Sequence, residues 1–226
     1  MPKTLAPKAD DDRVLIALVR AIATDEKQVI ATLLAADPSL ALQSLAAGAT
    51  RASAAAHYID DVEHYLYEGD TALHAAAAAY RRDAALRLVA TGADVGARNR
   101  LGAQPLHYAA DGGPTLRTWD PHAQAETVAC LVEAGADPNA LDKSGVAPLH
   151  RAVRTRSTGA VRELLEGGAN PRLKNRAGST PMDLATSTTG RGGSGTAAAK
   201  REQEAIVRLL EAALERPTAP RARRPN

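Results

Sequence analysis

The stretch GDTALHAAA, which begins at Gly69, is the first of four related segments that decide the fold. GAQPLHYAA follows from Gly102, GVAPLHRAV from Gly145 and GSTPMDLAT from Gly178, so that successive glycines are 33, 43 and 33 residues apart. Self-similarity at a period of this length is the signature of structural units that stack on one another. The sequence therefore predicts a row of stacked units.

A second series of segments shows which unit is longer than the others. TGADVGARN, AGADPNALD and GGANPRLKN contain Gly92, Gly135 and Gly168, which follow the first glycine of their units by 23, 33 and 23 residues. The ten additional residues therefore lie inside the middle unit, around DGGPTLRTWDPHAQ. A further insertion, TSTTGRGGSGTAAAK, has the equivalent place in the last unit, and we expect both to project from the same end of the stack.

Each unit has the pattern of two helices. A short alanine-rich helix is predicted over 71–79, 105–110 and 148–154, and proline suits its first turn because the missing N–H would have no partner there. A second helix ends at the glycine of the second series, since a residue free to adopt positive φ can close it. Fifty residues are alanine and none is phenylalanine, which favours thin layers of closely packed helices over a thick core.

These motifs resemble those of the ankyrin-repeat family, with G-x-T-P-L-H at the start of a unit and G-A-D-x-N-A at its end. The resemblance covers about residues 61–215. It implies an all-α repeat solenoid in which each unit has a β-turn finger and two antiparallel helices. It also implies that His74, His107 and His150 hold neighbouring turns through hydrogen bonds, often with a threonine three residues earlier. Only Thr71 is present at that position, so the network must be partly rewired.

The domain organisation follows from the repeats. We expect a disordered leader, one elongated repeat domain and a disordered basic tail. Two amphipathic helices at the start of the domain lack the Pro-Leu-His signature, as expected of a capping unit. The boundaries are 1–9 for the leader, 10–216 for the domain (cap 11–37, connector 38–63, repeats about 64–97, 98–140, 141–173 and 174–216) and 217–226 for the tail.

Composition narrows the class of protein. A single cysteine, Cys130, excludes an intramolecular disulfide framework and fits a reducing compartment, and we expect it to be buried and inert. The N-terminus lacks the pattern of a signal peptide, and no run of 18 apolar residues is present. We expect a cytoplasmic protein that does not associate with membranes and is a monomer on its own.

No catalytic signature stands out, so we predict a non-catalytic protein without a metal or cofactor. The recurrence of His74, His107 and His150 is explained by the stack. In the connector, His57 and His64 with Asp60 and Asp61 leave a ligand site open as a minor alternative to a solvated edge. The glycine-rich segment 190–196 could wrap a phosphate, but it lacks the Gly-Lys-Ser/Thr ending of a P-loop, which favours a flexible loop.

Charge is distributed unevenly along the chain. Residues 1–97 have 9 basic and 13 acidic side chains, and residues 98–200 have 13 basic and 9 acidic ones. Many of the basic residues fall on fingers or first helices, which line the concave surface in the family's geometry. With Tyr108 and Trp119 as apolar anchors, the predicted partner-binding residues are Arg98, Arg100, Tyr108, Trp119, Lys143, Arg151, Arg154, Arg156, Lys174 and Arg176.

The ankyrin resemblance implies protein recognition, and we expect an adaptor or inhibitor that binds a partner protein through an acidic patch on that partner. Trp119 could instead pack onto its own scaffold. Nucleic-acid or nucleotide binding through the basic half is the alternative function, although it calls for stacking aromatics that are scarce among these charges. An enzyme that uses the connector histidines is a third, weaker hypothesis.

Overall fold

A computed structural model of the chain describes residues 12–113, 117–187 and 197–216. The described residues form ten α-helices in five successive pairs and one short hairpin, so the predicted all-α repeat solenoid is confirmed. The helices are α1 Asp12–Ala23, α2 Lys27–Ala36, α3 Ala72–Ala78, α4 Arg82–Ala90, α5 Pro105–Ala109, α6 Pro121–Glu133, α7 Pro148–Thr155, α8 Thr158–Glu166, α9 Pro181–Thr186 and α10 Ala197–Glu215. Within the described ranges, no helix has the length and apolar character needed to cross a membrane.

The first helices of the units, α1, α3, α5, α7 and α9, form an inner row, and the second helices of the later units pack α4 on α6 and α6 on α8. The last helix, α10, packs against both α8 and α9 and buries Ile206 and Leu210 there. Each inner helix from α3 to α7 contributes one fully buried leucine to the shared core: Leu73, Leu106 or Leu149. Alanines fill the rest of α3, which lets its neighbours approach closely.

Fingers, the loops that lead from the second helix of one unit to the first helix of the next, stack through their backbones. The amide of Arg100 donates to the carbonyl of Glu68 at 2.8 Å, and that of Lys143 donates to Leu101 at 2.9 Å. In the next finger, the amide of Arg176 donates to the carbonyl of Ser144 at 3.2 Å. Successive fingers are therefore in register.

The finger glycines permit this close approach. Gly145 has φ of +69°, and a Cβ atom on it would lie 2.9 Å from the amide nitrogen of Arg176. Gly135, which ends α6, also has positive φ, +95°, but a Cβ atom there would meet nothing within 4 Å. Both glycines therefore adopt a conformation that is unfavourable for other residues, but only Gly145 is also closely packed.

The connector is more ordered than the sequence suggested. The predicted irregular segment 38–63 contains a 3-10 turn at Pro38–Ala41, and an antiparallel hairpin joins β1 (Tyr58–Ile59) to β2 (His64–Tyr65). The expected boundary between residues 63 and 64 falls inside this hairpin. The expected leader 1–9 and tail 217–226 lie outside the described residues, as does the glycine-rich segment 190–196.

We expect Gly145→Ala to lower the free energy of unfolding more than Gly135→Ala. A positive φ costs an L-residue about 1–2 kcal/mol at either position, and only at Gly145 does the new methyl group also press on the next finger. Urea unfolding of the two variants measures the difference. Equal losses would show that finger contact contributes nothing.

Candidate functional site

The basic side chains on the fingers form one surface. Arg100, Lys143 and Arg176 have equivalent positions at three successive tips, and the backbone hydrogen bonds between fingers place them in a row. All three are exposed, as are Arg98 and Lys174 at the finger bases. We call this set the basic finger surface: Arg98, Arg100, Lys143, Lys174 and Arg176.

Part of this surface has uncompensated charge. Among the residues that the structure describes, no carboxylate lies within 4.0 Å of Lys143, Lys174 or Arg176. Their ammonium and guanidinium groups are therefore available to an acidic partner. A row of like charges also raises the local positive potential, which attracts anionic groups from solution.

Arg98 and Arg100 have structural contacts as well as exposed charge. Arg98 donates to the carbonyl oxygens of Gly102 at 2.9 Å and Leu141 at 2.8 Å, which joins two fingers. Arg100 donates to the carbonyl of Ala49 at 2.5 Å and lies 5.2 Å from the ring centre of Tyr67. Substitution of either arginine therefore affects the scaffold as well as the charge.

Arg151 lies on the inner helix α7, and its side chain is only 13% exposed. One guanidinium nitrogen is 3.3 Å from a carboxylate oxygen of Asp111, and another is 3.1 Å from Asp142. Burial works to raise the pKa of Asp142, but hydrogen bonds from Val146 and Arg151 hold it below its ordinary value. Arg151 thus joins two units, and little of it remains for a partner.

The two other arginines of this region differ in exposure. Arg154 is half-buried beside a small cleft between α7, α9 and α10, which is also lined by Leu184 and Gln203. Arg156 ends α7 in the left-handed conformation, with φ of +61°, and is only 5% exposed. Burial therefore leaves Arg156 almost no surface for the partner contact predicted for it.

Tyr108 also differs from the prediction, because it is 2% exposed and cannot act as a surface anchor. Its hydroxyl donates to the carboxylate of Asp70 at 2.9 Å and accepts from the side-chain amide of Asn99 at 2.8 Å. The imidazole of His64 covers its ring at a centroid distance of 4.6 Å. Sequence reasoning missed this because His64 comes from the connector, 44 residues earlier in the chain.

Trp119 packs onto its own scaffold. The indole N–H donates to the side-chain oxygen of Gln124 at 2.7 Å, and the hydroxyl of Ser157 donates to the same oxygen at 2.6 Å. Gln124 is fully buried and donates in turn to the carbonyl of Ala109 at 2.9 Å. Of the two roles considered for Trp119, the structure shows packing, with the ring left half-exposed.

The recurring histidines join each unit to the next. Nδ1 of His107 accepts from the amide of Gln104 at 3.1 Å, so Nε2 carries the hydrogen, which it donates to Val146 at 3.0 Å in the following finger. His74 and His150 make the same two contacts in their units. Because the donor to Nδ1 is a backbone amide, the bond persists where threonine is missing.

Burial sets the protonation state of these histidines. Loss of hydration lowers the pKa of His74 and His150 below the ordinary 6.5 and lowers the pKa of His107 to about 4. A proton on Nδ1 would also face the amide N–H that now donates to it. These side chains are neutral hydrogen-bonding groups and have no free ring nitrogen to offer a metal.

The remaining candidates for chemistry are separated from one another. Nδ1 of His57 lies 3.0 Å from the carbonyl of Ser53, at the end of a 3-10 turn, whereas His64 packs on Tyr108. Cys130 is buried, and burial raises the pKa of its thiol. In the described ranges, no three side chains of His, Cys, Asp or Glu are grouped as metal ligands would be.

A feature that sequence reasoning missed is the contact between the connector hairpin and the insertion of the middle unit. The amide of Arg117 donates to Glu63 at 2.8 Å, and its guanidinium lies 3.2 Å from the other carboxylate oxygen. The hydrogen bond from the side chain of Arg117 is the main cause that lowers the pKa of Glu63. The sequence contained one indication that this region packs together: all six aromatic residues lie between Tyr58 and Trp119, the stretch that includes both the hairpin and the insertion.

We expect the stability of the protein to fall on acidification from pH 6.5 to about 4. A histidine whose pKa is lowered in the folded state binds more protons when unfolded, so its contribution is complete above pH 6.5 and is lost below it. A tenfold difference in proton affinity corresponds to about 1.4 kcal/mol, so several buried histidines together make a large effect. Urea unfolding between pH 4 and 7 measures it, and a flat profile would contradict the assignment. His107→Gln should flatten the profile, whereas His122→Gln, at a side chain that is 85% exposed, should not.

We also expect Tyr108→Phe to destabilise the fold by about 1–3 kcal/mol, because the buried carboxylate of Asp70 loses a hydrogen-bond donor. Tyr65→Phe is the matched control, since that ring is 40% exposed and its change should cost less than about 0.5 kcal/mol. Thermal unfolding distinguishes the two. Equal melting temperatures would show that the Tyr108 hydroxyl is not structural.

Comparison with known protein families agrees with the geometry. The family model "Ankyrin repeat" matches residues 68–100 and 101–143, and the model "Ankyrin repeats (many copies)" matches residues 131–185. Together they span residues 68–185, more than half of the chain. No curated protein matches the sequence. The paired helices, the stacked fingers and these matches together establish that the chain belongs to the ankyrin-repeat family.

Proposed function

We propose that this protein is a non-catalytic adaptor or inhibitor, and that it binds a partner protein through the basic finger surface and the adjoining open part of the inner helices. Ankyrin repeats are in general protein–protein interaction modules. A rigid stack of this kind loses little conformational entropy when it binds. The proposed partner contact is an acidic patch, and binding would block or scaffold that partner without chemistry in this chain.

The observation that carries the proposal is the row Arg100, Lys143 and Arg176. Two backbone hydrogen bonds between successive fingers set its spacing, and none of the three side chains has a carboxylate within 4.0 Å in the described part of the chain. Such an arrangement holds charge in place and leaves it unneutralised, which favours complementary recognition. Arg154, half-buried beyond the fingers, extends the positive region toward α9.

Nucleic acid is the weaker alternative on this surface. Single-stranded nucleic acid is held by basic side chains together with aromatic rings on which bases stack. Tyr67 is the aromatic ring beside Arg100, and its face is already taken by that guanidinium. Tyr108 is buried, and the indole N–H of Trp119 donates a hydrogen bond to Gln124. These three aromatic side chains are therefore engaged within the protein.

We further propose that the protein acts as a monomer in the cytoplasm. Its single cysteine is buried, which suits a reducing compartment and offers no thiol for an intermolecular disulfide. Sedimentation of the purified protein is a direct measure of its state of association.

The test is a comparison of retained partners between the parent and the variant Lys143→Glu/Lys174→Glu/Arg176→Glu on nuclease-treated lysate. This variant leaves the structural contacts of Arg98 and Arg100 in place. Each exposed ion pair contributes up to about 1 kcal/mol, so three reversals should weaken binding about tenfold or more. The matched control reverses three exposed arginines on outer helices, Arg87→Glu/Arg162→Glu/Arg208→Glu. It has the same net charge as the test variant.

A stoichiometric protein that the parent and the control retain and the test variant loses supports the proposal, and its affinity should fall with salt. Equal retention by all three proteins contradicts it. If nucleic acid is retained before nuclease treatment and nothing after it, the alternative function is correct.

A further inference from the structure

The connector hairpin crosses the inner helices from one end to the other. We call residues 58–65 the strap. At the finger end, the amide of Ala49 donates to the carbonyl of Leu66 at 2.7 Å, which closes the base of the strap. At the opposite end, Glu63 meets Arg117 in the insertion between α5 and α6. The strap therefore lies over the inner face of α5, where His64 packs against Tyr108.

Equivalent positions on the inner helices show what the strap covers. The residue after each conserved His, or after the Asp that replaces it, is Ala75, Tyr108, Arg151 or Leu184. Ala75 is 5% exposed and Tyr108 is 2% exposed, whereas Arg151 and Leu184 are both partly exposed. A tyrosine is too large to be hidden by its own helix at such a position. At Tyr108 the imidazole of His64, which belongs to the strap, packs against the ring.

The contacts that hold the strap are few. Its two strands have two residues each. Its latch to the insertion is the carboxylate of Glu63, which accepts from the backbone amide of Arg117 and pairs with the guanidinium of that residue. The side chain of Arg117 is 82% exposed and that of Glu63 is 15% exposed. Solvent screens such a pair. Glu63 also has φ of +48°, a left-handed conformation that is unfavourable for a residue with a Cβ atom.

Two buried nitrogen atoms at the strap have no hydrogen-bond partner among the described residues: Nε2 of His64, which belongs to the strap, and Nε of Arg81, whose Nη2 atom donates to the carbonyl of Ala23 at 3.0 Å. An unpaired buried polar group disfavours the closed arrangement. Arg81 also lines a cleft between the strap and the insertion, together with Asp61 and Tyr80. The cleft therefore contains a donor that a deeper carboxylate could reach.

We propose that the strap is a displaceable occupant, and that the inner face beneath it is a second binding site for an extended acidic segment with an aromatic or imidazole side chain. The chemistry of the occupant is that of the strap itself, which presents Asp60, Asp61 and Glu63 followed by His64 and Tyr65. The receiving side provides Arg117 at the rim, Arg81 in the cleft and the ring of Tyr108 below.

The strap then regulates access to this site. A partner segment binds only the open form, so its apparent affinity is reduced by the fraction of molecules that are open. This site is separate from the basic finger surface, and its test uses this chain alone. Failure here would leave the proposed adaptor function standing.

The first experiment measures hydrogen exchange at the amide of Leu66, which donates to the carbonyl of His57 at 2.8 Å. Arg117→Glu removes the ion pair but leaves the backbone amide of residue 117 to donate to Glu63, whereas Glu63→Arg removes both contacts. The double variant restores the ion pair alone, in reversed order. We expect at least tenfold faster exchange at Leu66 in Glu63→Arg, a smaller increase in Arg117→Glu, and partial recovery in the double variant. The amide of His107, which lies in the repeat scaffold, should be unaffected.

The matched control is Lys27→Glu, which breaks an ion pair with Asp83 that is 2.8 Å long and exposed on both sides. It should leave exchange at Leu66 unchanged. If Leu66 exchanges only as fast as the scaffold amides in every protein, the strap opens only with global unfolding and the proposal fails.

The second experiment supplies the strap as a separate molecule. Residues 51–65 are replaced by a four-residue Gly-Ser turn, because Ala49 and Leu66 are already hydrogen-bonded neighbours. The probe is a synthetic peptide with the sequence of residues 56–67, AHYIDDVEHYLY. Fluorescence of Trp119, two residues from Arg117, reports its binding.

We expect the opened variant to bind the peptide at least tenfold more tightly than the parent does. A peptide with Asn, Asn and Gln in place of the three acids should bind the opened variant more weakly. Equal affinity for parent and opened variant, or no binding by an opened variant whose circular dichroism is native, would overturn the proposal. The exchange measurement on the unmodified strap decides the matter independently if the opened variant does not fold.

Discussion

The hydrogen bond from an inner-helix histidine to the next finger is the interaction on which the rest of this structure depends. His107 accepts from the amide at the start of its own helix and donates to Val146 in the following unit, and His74 and His150 do the same. Only the neutral ring can make both bonds, which is consistent with its low proton affinity in the folded protein. The stacking of the units therefore depends on the protonation state of these histidines, because Nδ1 must accept within its own unit while Nε2 donates to the next one.

From this alignment of units follow the two surfaces proposed for binding. Finger backbones in register turn Arg100, Lys143 and Arg176 into a row, although they are 43 and 33 residues apart in the chain. The same alignment exposes one equivalent inner-face position in each unit. At Tyr108 the strap takes the place of solvent or partner. The open inner face therefore begins at Arg151 and adjoins the basic fingers.

The repeat pattern was enough to predict the helices, because proline, histidine and glycine each act within one turn of the backbone. The family resemblance implied the role of the histidines, but it also led us to expect partial rewiring in the units without a threonine at this position. The contact to Nδ1 is nevertheless the same there, since the backbone amide that donates to it belongs to any residue type. Tyr108 and Arg156 could not be assigned correctly in this way. Tyr108 is covered by the strap, and Arg156 lies at the end of α7. Local periodicity in the sequence predicts neither contact.

The sequence by itself determined the family, the number of full units, the position of the insertions and the uneven distribution of charge, because these are properties of residue type and spacing. Only the tertiary structure decided that Trp119 bonds to Gln124, that Arg151 is neutralised by Asp111 and Asp142, and that a hairpin covers Tyr108. Each of these joins residues of different elements. Such contacts depend on how neighbouring units and insertions meet in space, which a one-dimensional repeat pattern does not specify.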